Sequence, residues 1–493
     1  MAVEYPFSDS EIARYDELAG EAGNGAVDGQ SWDDLLLPQY LRMVAGDASI
    51  FGRQALYRRL RRGLGLSYSA ERVRALLDLP AQRERLAAQL APLRKASAEV
   101  SAALFVPGER STASPISPVP GWAGCTWLLP AAFLISVAAS FFWLPALAAT
   151  VLLSLFLMAV QITFHTRIQN WAAVTEALQL QLYAHSRQTD PPGAMHAARA
   201  AQLRRKLARS AGSAVPGVGE YADWVLLDNL KHYFATRRLV REHVEFLRES
   251  YDLVAALDAD LALARHLAAQ PHWCWAEEGW EEEIHLKAVQ HPLLSEAQSL
   301  DLSLEGRSAF ISGQNGVGKS TLLRTVGLNL LSARAFGICY AESARVPNLP
   351  VYASMQNDDA LEGGESLYQS ELRRAQELLA LSRKPQRAVF IIDEIFRGTN
   401  HYESVSAAAA VLEELASQGT VLVSSHNVVL AQLLEACCLP LLVQKRGDRL
   451  VLTPGVLTDT NGLTLLAQFG FDASIEQRAR EVYKRLSGRL LPA

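Results

Sequence analysis

Between Ser111 and Phe164 the chain carries no Asp, Glu, Lys, Arg or His, and the 40 residues from Cys125 to Phe164 are almost wholly apolar. Lipid offers no partner for backbone N–H and C=O groups, so a crossing segment must satisfy them internally, as an α-helix of about 20 residues does. The run therefore fits two helices with a reversal near Phe142-Trp143-Leu144-Pro145. A helix in a soluble core usually keeps a polar stripe, which this run lacks, so a transmembrane hairpin is favoured over a buried one. Basic residues lie outside both ends, Arg94, Lys95 and Arg110 before it and Arg167 after it, and the positive-inside tendency puts both flanks in the cytoplasm. The expectation is a multi-pass protein of the cell membrane with two helices, meeting the lipid bilayer through residues 125–164.

The rest of the chain is long enough to bury several proper cores, so no disulfide or metal staple is needed. Five cysteines (Cys125, Cys274, Cys339, Cys437 and Cys438) show no C-x-x-C spacing, which argues against a disulfide framework and a zinc site. Vicinal Cys437 and Cys438 read as packing. Residues 1–30 hold no basic segment followed by an apolar run, so no cleavable signal peptide is expected. A formal charge of -5 neither supports nor excludes nucleic acid.

Organisation follows from periodicity. Residues 1–30 form an N-terminal extension. Residues 31–120 are expected as the first part of a helical core, with apolar residues at helical spacing in Leu35–Leu41, Ala55–Leu60 and Val73–Leu79, followed by the hairpin at 121–165. Residues 166–283 resume as long helices, broken around Gly212–Gly219. From 284 to 493 short β-type runs alternate with helices, including Ala309–Ser312, Ala388–Ile392 and Thr420–Ser424, as in an α/β domain. Two basic clusters, Arg58, Arg59, Arg61 and Arg62, then Arg204, Arg205, Lys206 and Arg209, suit a phosphate backbone or anionic lipid, although solvated helix faces are the commoner explanation.

The chemistry concentrates in the α/β part. Gly313-Gln314-Asn315-Gly316-Val317-Gly318-Lys319-Ser320 matches G-x-x-x-x-G-K-[ST] without mismatch, after an apolar run and before the helical stretch Thr321–Leu331. Gly313, Asn315, Gly316 and Gly318 let the backbone turn its N–H groups toward phosphates, and the helix N-terminus adds partial positive charge. Lys319 is placed to reach the β and γ phosphates of ATP, and Ser320 to ligate Mg2+, with Thr321 beside it. Val389 to Glu394 reads as a buried strand ending in two acids, Asp393 for the magnesium and Glu394 to orient or deprotonate the attacking water. His426 ends a further strand, Val421 to Ser425, where it can sense the γ-phosphate.

These residues resemble the MutS family of DNA mismatch-repair proteins. Asp393-Glu394-Ile395-Phe396-Arg397-Gly398-Thr399-Asn400 is similar to D-E-[IL]-G-R-G-T-[ST], with Phe396 in the glycine position and Asn400 in the serine or threonine position. The P-loop is similar to G-P-N-x-x-G-K-S-T with Gln314 at the proline, and Asp358 to Tyr368 resembles D-D-x-x-x-G-x-S-[TS]-F. Thr460-Asn461-Gly462-Leu463 resembles S-Y-G-L, His291-Pro292-Leu293 the R-H-P element, and Asp47 to Tyr57 the start of the helical core. The resemblance implies an α/β P-loop NTPase of ABC/MutS type at the C-terminus, preceded by an all-α core that the hairpin interrupts. It implies ATP hydrolysis with Mg2+, a homodimer in which Ser366 contacts the partner's nucleotide in trans, and DNA as a partner. About thirty residues precede the core-like segment, and no F-x-E wedge motif occurs there. An ATP-driven switch that has lost mismatch recognition is therefore the alternative, and a transporter ATPase ranks last because two short helices without paired polar residues offer little substrate path.

Overall fold

The computed structural model describes residues 6–19, 25–63, 70–106, 119–189, 193–209, 218–280, 282–355, 367–397, 400–446, 449–457 and 470–490. The chain divides into two compact units. One takes in residues 1–22, 44–58 and 72–268, and the other residues 23–43, 59–71 and 269–493.

Every regular element among the first unit's described residues is a helix. Its core gathers Tyr15, Phe51 and Phe105 around Tyr251, with ring centroids 4.8, 5.5 and 5.5 Å from the tyrosine. The Tyr251 hydroxyl donates to Gln54 Oε1, which satisfies a buried polar group inside the cluster. At the start of the helix Ile50–Arg62, Ser49 donates from its backbone N and its hydroxyl to Asp258 Oδ2, at 2.9 and 2.5 Å. Gly52 allows that approach, since a Cβ there would sit 2.5 Å from the same oxygen.

The apolar run forms helices with the expected reversal between them: the first ends at Ser140 and the second begins at Ala146. Gly121–Ser140 and Ala146–Ser186 have mean hydropathies of 1.6 and 2.2, long and apolar enough to cross a membrane by length and composition. Their apolar windows are only 17% and 11% buried, and Phe141 and Phe142 in the reversal are 83% and 93% exposed. The second helix runs for 41 residues, and its far half packs into the helical unit through Trp171, Leu178, Leu182 and His185. Trp171 Nε1 donates to Thr236 Oγ1 at 2.8 Å, and His185 Nδ1 lies 2.8 Å from the Ser250 hydroxyl.

The second unit is α/β, as the alternating pattern predicts. Its strands are β1 (Cys274–Trp275), β2 (Glu277–Glu278), β3 (Glu283–Val289), β4 (Leu300–Glu305), β5 (Ser308–Gly313), β6 (Ile338–Cys339), β7 (Ser343–Val346), β8 (Val351–Ser354), β9 (Val389–Asp393), β10 (Thr420–Ser424), β11 (Cys438–Arg446) and β12 (Arg449–Pro454). The main sheet has the order β12-β11-β5-β10-β9-β8, parallel except for the β11–β12 hairpin. Strands β5, β9 and β10 are buried along their whole length because both sheet faces are covered, which is why they read as continuous apolar runs. A four-stranded sheet, β2-β7-β3-β4, and the pair β1–β6 complete the strands, so β structure begins ten residues before the expected boundary at 284.

The helix Lys319–Phe336 packs closely on this sheet: a Cβ on Gly327 would lie 2.6 Å from Leu35 and 2.9 Å from Ile391. Leu35 belongs to a segment expected in the helical core, yet residues 23–43 cluster with the α/β unit. The reason is an open strand edge. Ala353 and Met355 N–H groups at β8 donate to the Ser31 hydroxyl and the Asp34 carboxylate, each at 2.8 Å, and capping such an edge removes unpaired donors. Burial raises the Asp34 carboxyl to about 6, opposed by the Met355 N–H. The basic cluster at 58–62 is also partly committed internally, with Arg59 buried and Arg58 lying 4.9 Å over the Tyr15 ring.

Candidate nucleotide-binding site

Three parallel strands deliver the site. β5 ends at Gly313, β9 at Asp393 and β10 at Ser424, all at the carboxyl edge of the sheet, where doubly wound α/β folds bind ligands. The turn after β5 carries Gly316 and Gly318 at φ of 77° and 103°, a region closed to most side chains, and Lys319 opens the helix Lys319–Phe336. Gln314, Asn315 and Gly316 are exposed, so the loop faces outward, while Ser320 and Thr321 are half-buried in the first helical turn.

Lys319 is buried, and its ammonium donates to the Gly313 carbonyl at 3.0 Å. That bond folds the side chain back over the loop, where a phosphate would lie. Burial lowers its pKa, opposed by the charges of Glu394 and Asp393. Asp393 stands opposite Ser424 in the β9–β10 register and accepts a hydrogen bond from the Ser424 hydroxyl, while the Glu394 N–H donates to the Ser424 carbonyl at 3.0 Å. Both acids are thereby fixed from the neighbouring strand.

Glu394 has φ of 57°, an uncommon conformation for a non-glycine residue. Its Oε1 lies 3.2 Å from His426 Nε2 and its Oε2 lies 3.2 Å from Arg397 Nε. Arg397 is held in turn by Glu371, whose Oε2 accepts from the Arg397 N–H at 2.9 Å. The Lys319 ammonium stands 3.4 Å from both ring nitrogens of His426. Burial and then the Lys319 charge lower the His426 pKa, against the opposing pull of Glu394 and Asp393, so the ring is neutral at neutral pH. Accepting from Lys319 at Nδ1 and donating from Nε2–H to Glu394 is the tautomer that satisfies this network.

The residues predicted for catalysis, Lys319, Glu394 and His426, thus come together, and Asp393 and the P-loop adjoin them. Ser320 and Asp393 supply a hydroxyl and a carboxylate, the hard oxygen donors magnesium takes alongside phosphate oxygens and water. Among the described residues no group of three or more His, Cys, Asp or Glu is placed to hold a metal. Ser366, Gly398, Thr399 and the Thr460–Leu463 stretch lie outside the described residues. Sequence reasoning gave no role to Arg397, Glu371 or Ser424. Ser424 was findable, as the last residue of the strand paired with β9, but the Glu371 contact spans a connection whose path the sequence does not reveal.

The two departures in the segment after β9 have local explanations. Asn400 caps the helix His401–Gln418, accepting from the Glu403 N–H at 3.0 Å, a task serine and threonine also perform. Phe396 keeps a φ of 57° while its ring is buried in the core and meets Tyr368 edge to face at 6.0 Å. A cavity of about 860 Å³ lies elsewhere, over the small sheet beside His285, Lys287 and Arg345, and contains no P-loop residue.

Comparison with known proteins agrees with this geometry. Residues 309–487 match MutS domain V. The chain is similar to the DNA mismatch repair protein MutS of Thermus thermophilus, 26% identical over 272 residues, which is 52% of this chain and 32% of that protein. It is likewise similar to the DNA mismatch repair protein MutS of an Anaeromyxobacter species, at 29% over 279 residues, 51% of this chain and 31% of that protein. The chain thus spans about a third of the length of these curated relatives. Through residues 309–487, the chain carries a segment that matches MutS domain V and is similar to the corresponding part of these MutS proteins.

Proposed function

We propose that the protein is a membrane-tethered MutS-like ATPase that works as an ATP-driven dimeric clamp on DNA, in mismatch repair or related DNA maintenance. The observation that carries the reading is the convergence of Lys319, Asp393, Glu394 and His426 at the ends of three adjacent strands. The apolar hairpin supports the tether, since its exposed rings have no cover among the described residues.

Hydrolysis needs positioning and charge neutralisation more than covalent chemistry. The Lys319 ammonium offsets charge on the β and γ phosphates. A water attacks the γ-phosphorus, the bond to the β–γ bridging oxygen breaks, ADP leaves, and Glu394 takes the proton of the water. His426 and Arg397 hold the Glu394 carboxylate for that transfer. Ser320 and Asp393 would hold a magnesium ion arriving with the nucleotide, which would supply further charge neutralisation. Ser366 would reach the nucleotide of a second copy, making each site composite.

A second reading, an ATP-driven conformational switch without mismatch recognition, is favoured by the internal use of Arg58 and Arg59. The discriminating experiment is DNA binding by detergent-purified Glu394→Gln protein with ATP, comparing homoduplex, single-mismatch and branched DNA at two salt concentrations. Binding with a preference among the DNAs is expected. No binding to any of them would replace the clamp with the switch.

A further inference from the structure

Exposed aromatic rings from separate segments stand around the base of the apolar hairpin. Trp122 and Trp127, 52% and 57% exposed, lie where the first helix begins, and Tyr221 and Trp224, 76% and 53% exposed, lie on the helix Val218–Val225. Two sets of contacts fix their level on the long helix Ala146–Ser186. Gln161 Nε2 donates to the Asp223 carbonyl, and its Oε1 accepts from Asn229 Nδ2 at 2.9 Å, which docks Val218–Val225 at residue 161. The Trp122 ring meets Phe164 at 6.1 Å and Phe234 at 5.3 Å, which sets the first helix at residue 164.

Gln161 lies 15 residues beyond the helix start at Ala146, a rise of roughly 22 Å, and the reversal Phe141–Pro145 extends the apolar stretch toward the roughly 30 Å of a hydrocarbon core. Aromatic side chains with a flat apolar body and a polar edge collect at the boundary between lipid and water. The first polar pairing along this helix that reaches outside the hairpin, Gln161 with Asn229, falls at that same level.

Basic groups stand at this level and beyond it. Arg167 is exposed, with its guanidinium 5.7 Å over the Phe164 ring. Lys231 and Arg238 lie on the helix Asp228–Glu242, which is seated there by Phe234 at 5.9 Å from Phe164. Arg209 pairs with both nearby acids, Asp223 directly and Asp228 at 3.6 Å, so the three leave one net negative charge against the three basic groups.

We propose that the helix Val218–Val225 and its aromatic neighbours lie in the head-group layer of the membrane, and that Arg167, Lys231 and Arg238 bind the phosphate groups of anionic phospholipids there. The proposal rests on the hairpin reading above and adds a lipid class to it. Basic side chains close to an anionic surface each gain attraction that a zwitterionic surface does not offer.

The full-length protein, reconstituted in phosphatidylcholine vesicles, tests this through energy transfer from tryptophan to a trace of head-group-labelled phosphatidylglycerol or phosphatidylcholine, with flotation as control. Stronger transfer to labelled phosphatidylglycerol is expected. The triple variant Arg167→Gln, Lys231→Gln, Arg238→Gln should still float and should lose the preference by roughly fivefold per charge. The charge-keeping variant Arg167→Lys, Arg238→Lys should retain it. Equal transfer to both lipids, or an unchanged preference in the triple variant, overturns the proposal while leaving the tether standing. Protein that fails to float with any vesicle overturns the tether reading and this one with it.

Discussion

His426 Nε2 stands 3.2 Å from Glu394 Oε1, and the Lys319 ammonium stands 3.4 Å from both nitrogens of the same ring. The imidazole therefore bridges the group that meets phosphate and the group that handles water. A neutral ring can accept from one and donate to the other, whereas a protonated ring would face the lysine charge with no acceptor to offer. Burial, and then the Lys319 charge, lowers the His426 pKa in keeping with that constraint.

Phe396 occupies a left-handed backbone position where the family pattern has glycine, and its ring is 1% exposed. A side chain there costs about 1–2 kcal/mol, and truncating a buried phenylalanine to alanine costs about 3–5 kcal/mol. Phe396→Ala leaves both the cavity and the strain, while Phe396→Gly leaves only the cavity. Urea unfolding should find the glycine variant more stable than the alanine variant by about 1 kcal/mol, the reverse of the usual order. Equal or opposite stabilities would contradict the strain assignment.

Asn400 accepts from the Glu403 N–H at the start of the helix His401–Gln418. Asn400→Ala should cost about 1 kcal/mol and Asn400→Ser or Asn400→Thr much less, measured by the same unfolding experiment. An alanine variant as stable as the parent would show that the cap contributes nothing.

The His291 imidazole is buried, and burial followed by the Arg324 charge lowers its pKa from 6.5 to about 4. Its Nδ1 accepts from the Leu293 N–H at 3.2 Å, a bond that only the unprotonated nitrogen can make. Above pH 6.5 the histidine is neutral whether folded or unfolded. Below it the unfolded chain takes up the proton first, so stability falls progressively toward pH 4, by about 2–3 kcal/mol for this group. His291→Asn, which keeps an acceptor and cannot titrate, should show a shallower loss between those pH values. An unchanged slope would remove His291 as a cause.

Trp122 and Phe164 rings lie 6.1 Å apart, so the two ends of the hairpin are close enough for a short Gly/Ser linker to replace residues 121–165. The resulting protein should move from the membrane pellet to the soluble fraction while keeping nucleotide binding. Continued pelleting of a folded deletion would show that something other than the hairpin anchors it.

The α/β unit was more legible than the helical one because its local and global signals agree. β5, β9 and β10 are buried on both faces, so their apolar runs and the P-loop glycines announce themselves without knowledge of neighbours. The membership of residues 23–43 in that unit was hidden, since Ser31 and Asp34 act on backbone groups more than 300 residues away, and helical periodicity says nothing about which sheet edge a helix covers. Phe396 was legible as a departure, since it takes the glycine position of the family pattern, but its contact with the Tyr368 ring was not, because the two lie in separate segments of the sequence. Arg397 was visible within its motif, but its hold on Glu394 follows from the positive φ of Glu394, which no propensity predicts.

The most direct measurement is Mg2+-dependent ATP turnover and ATP binding by the purified full-length protein, alongside Lys319→Ala and Glu394→Gln. The parent should hydrolyse ATP, Lys319→Ala should fail to bind it, and Glu394→Gln should bind normally while turning over at least about 100-fold more slowly, the scale of a lost general base. A Glu394→Gln protein that hydrolyses ATP at the parent rate would contradict the assignment of Glu394.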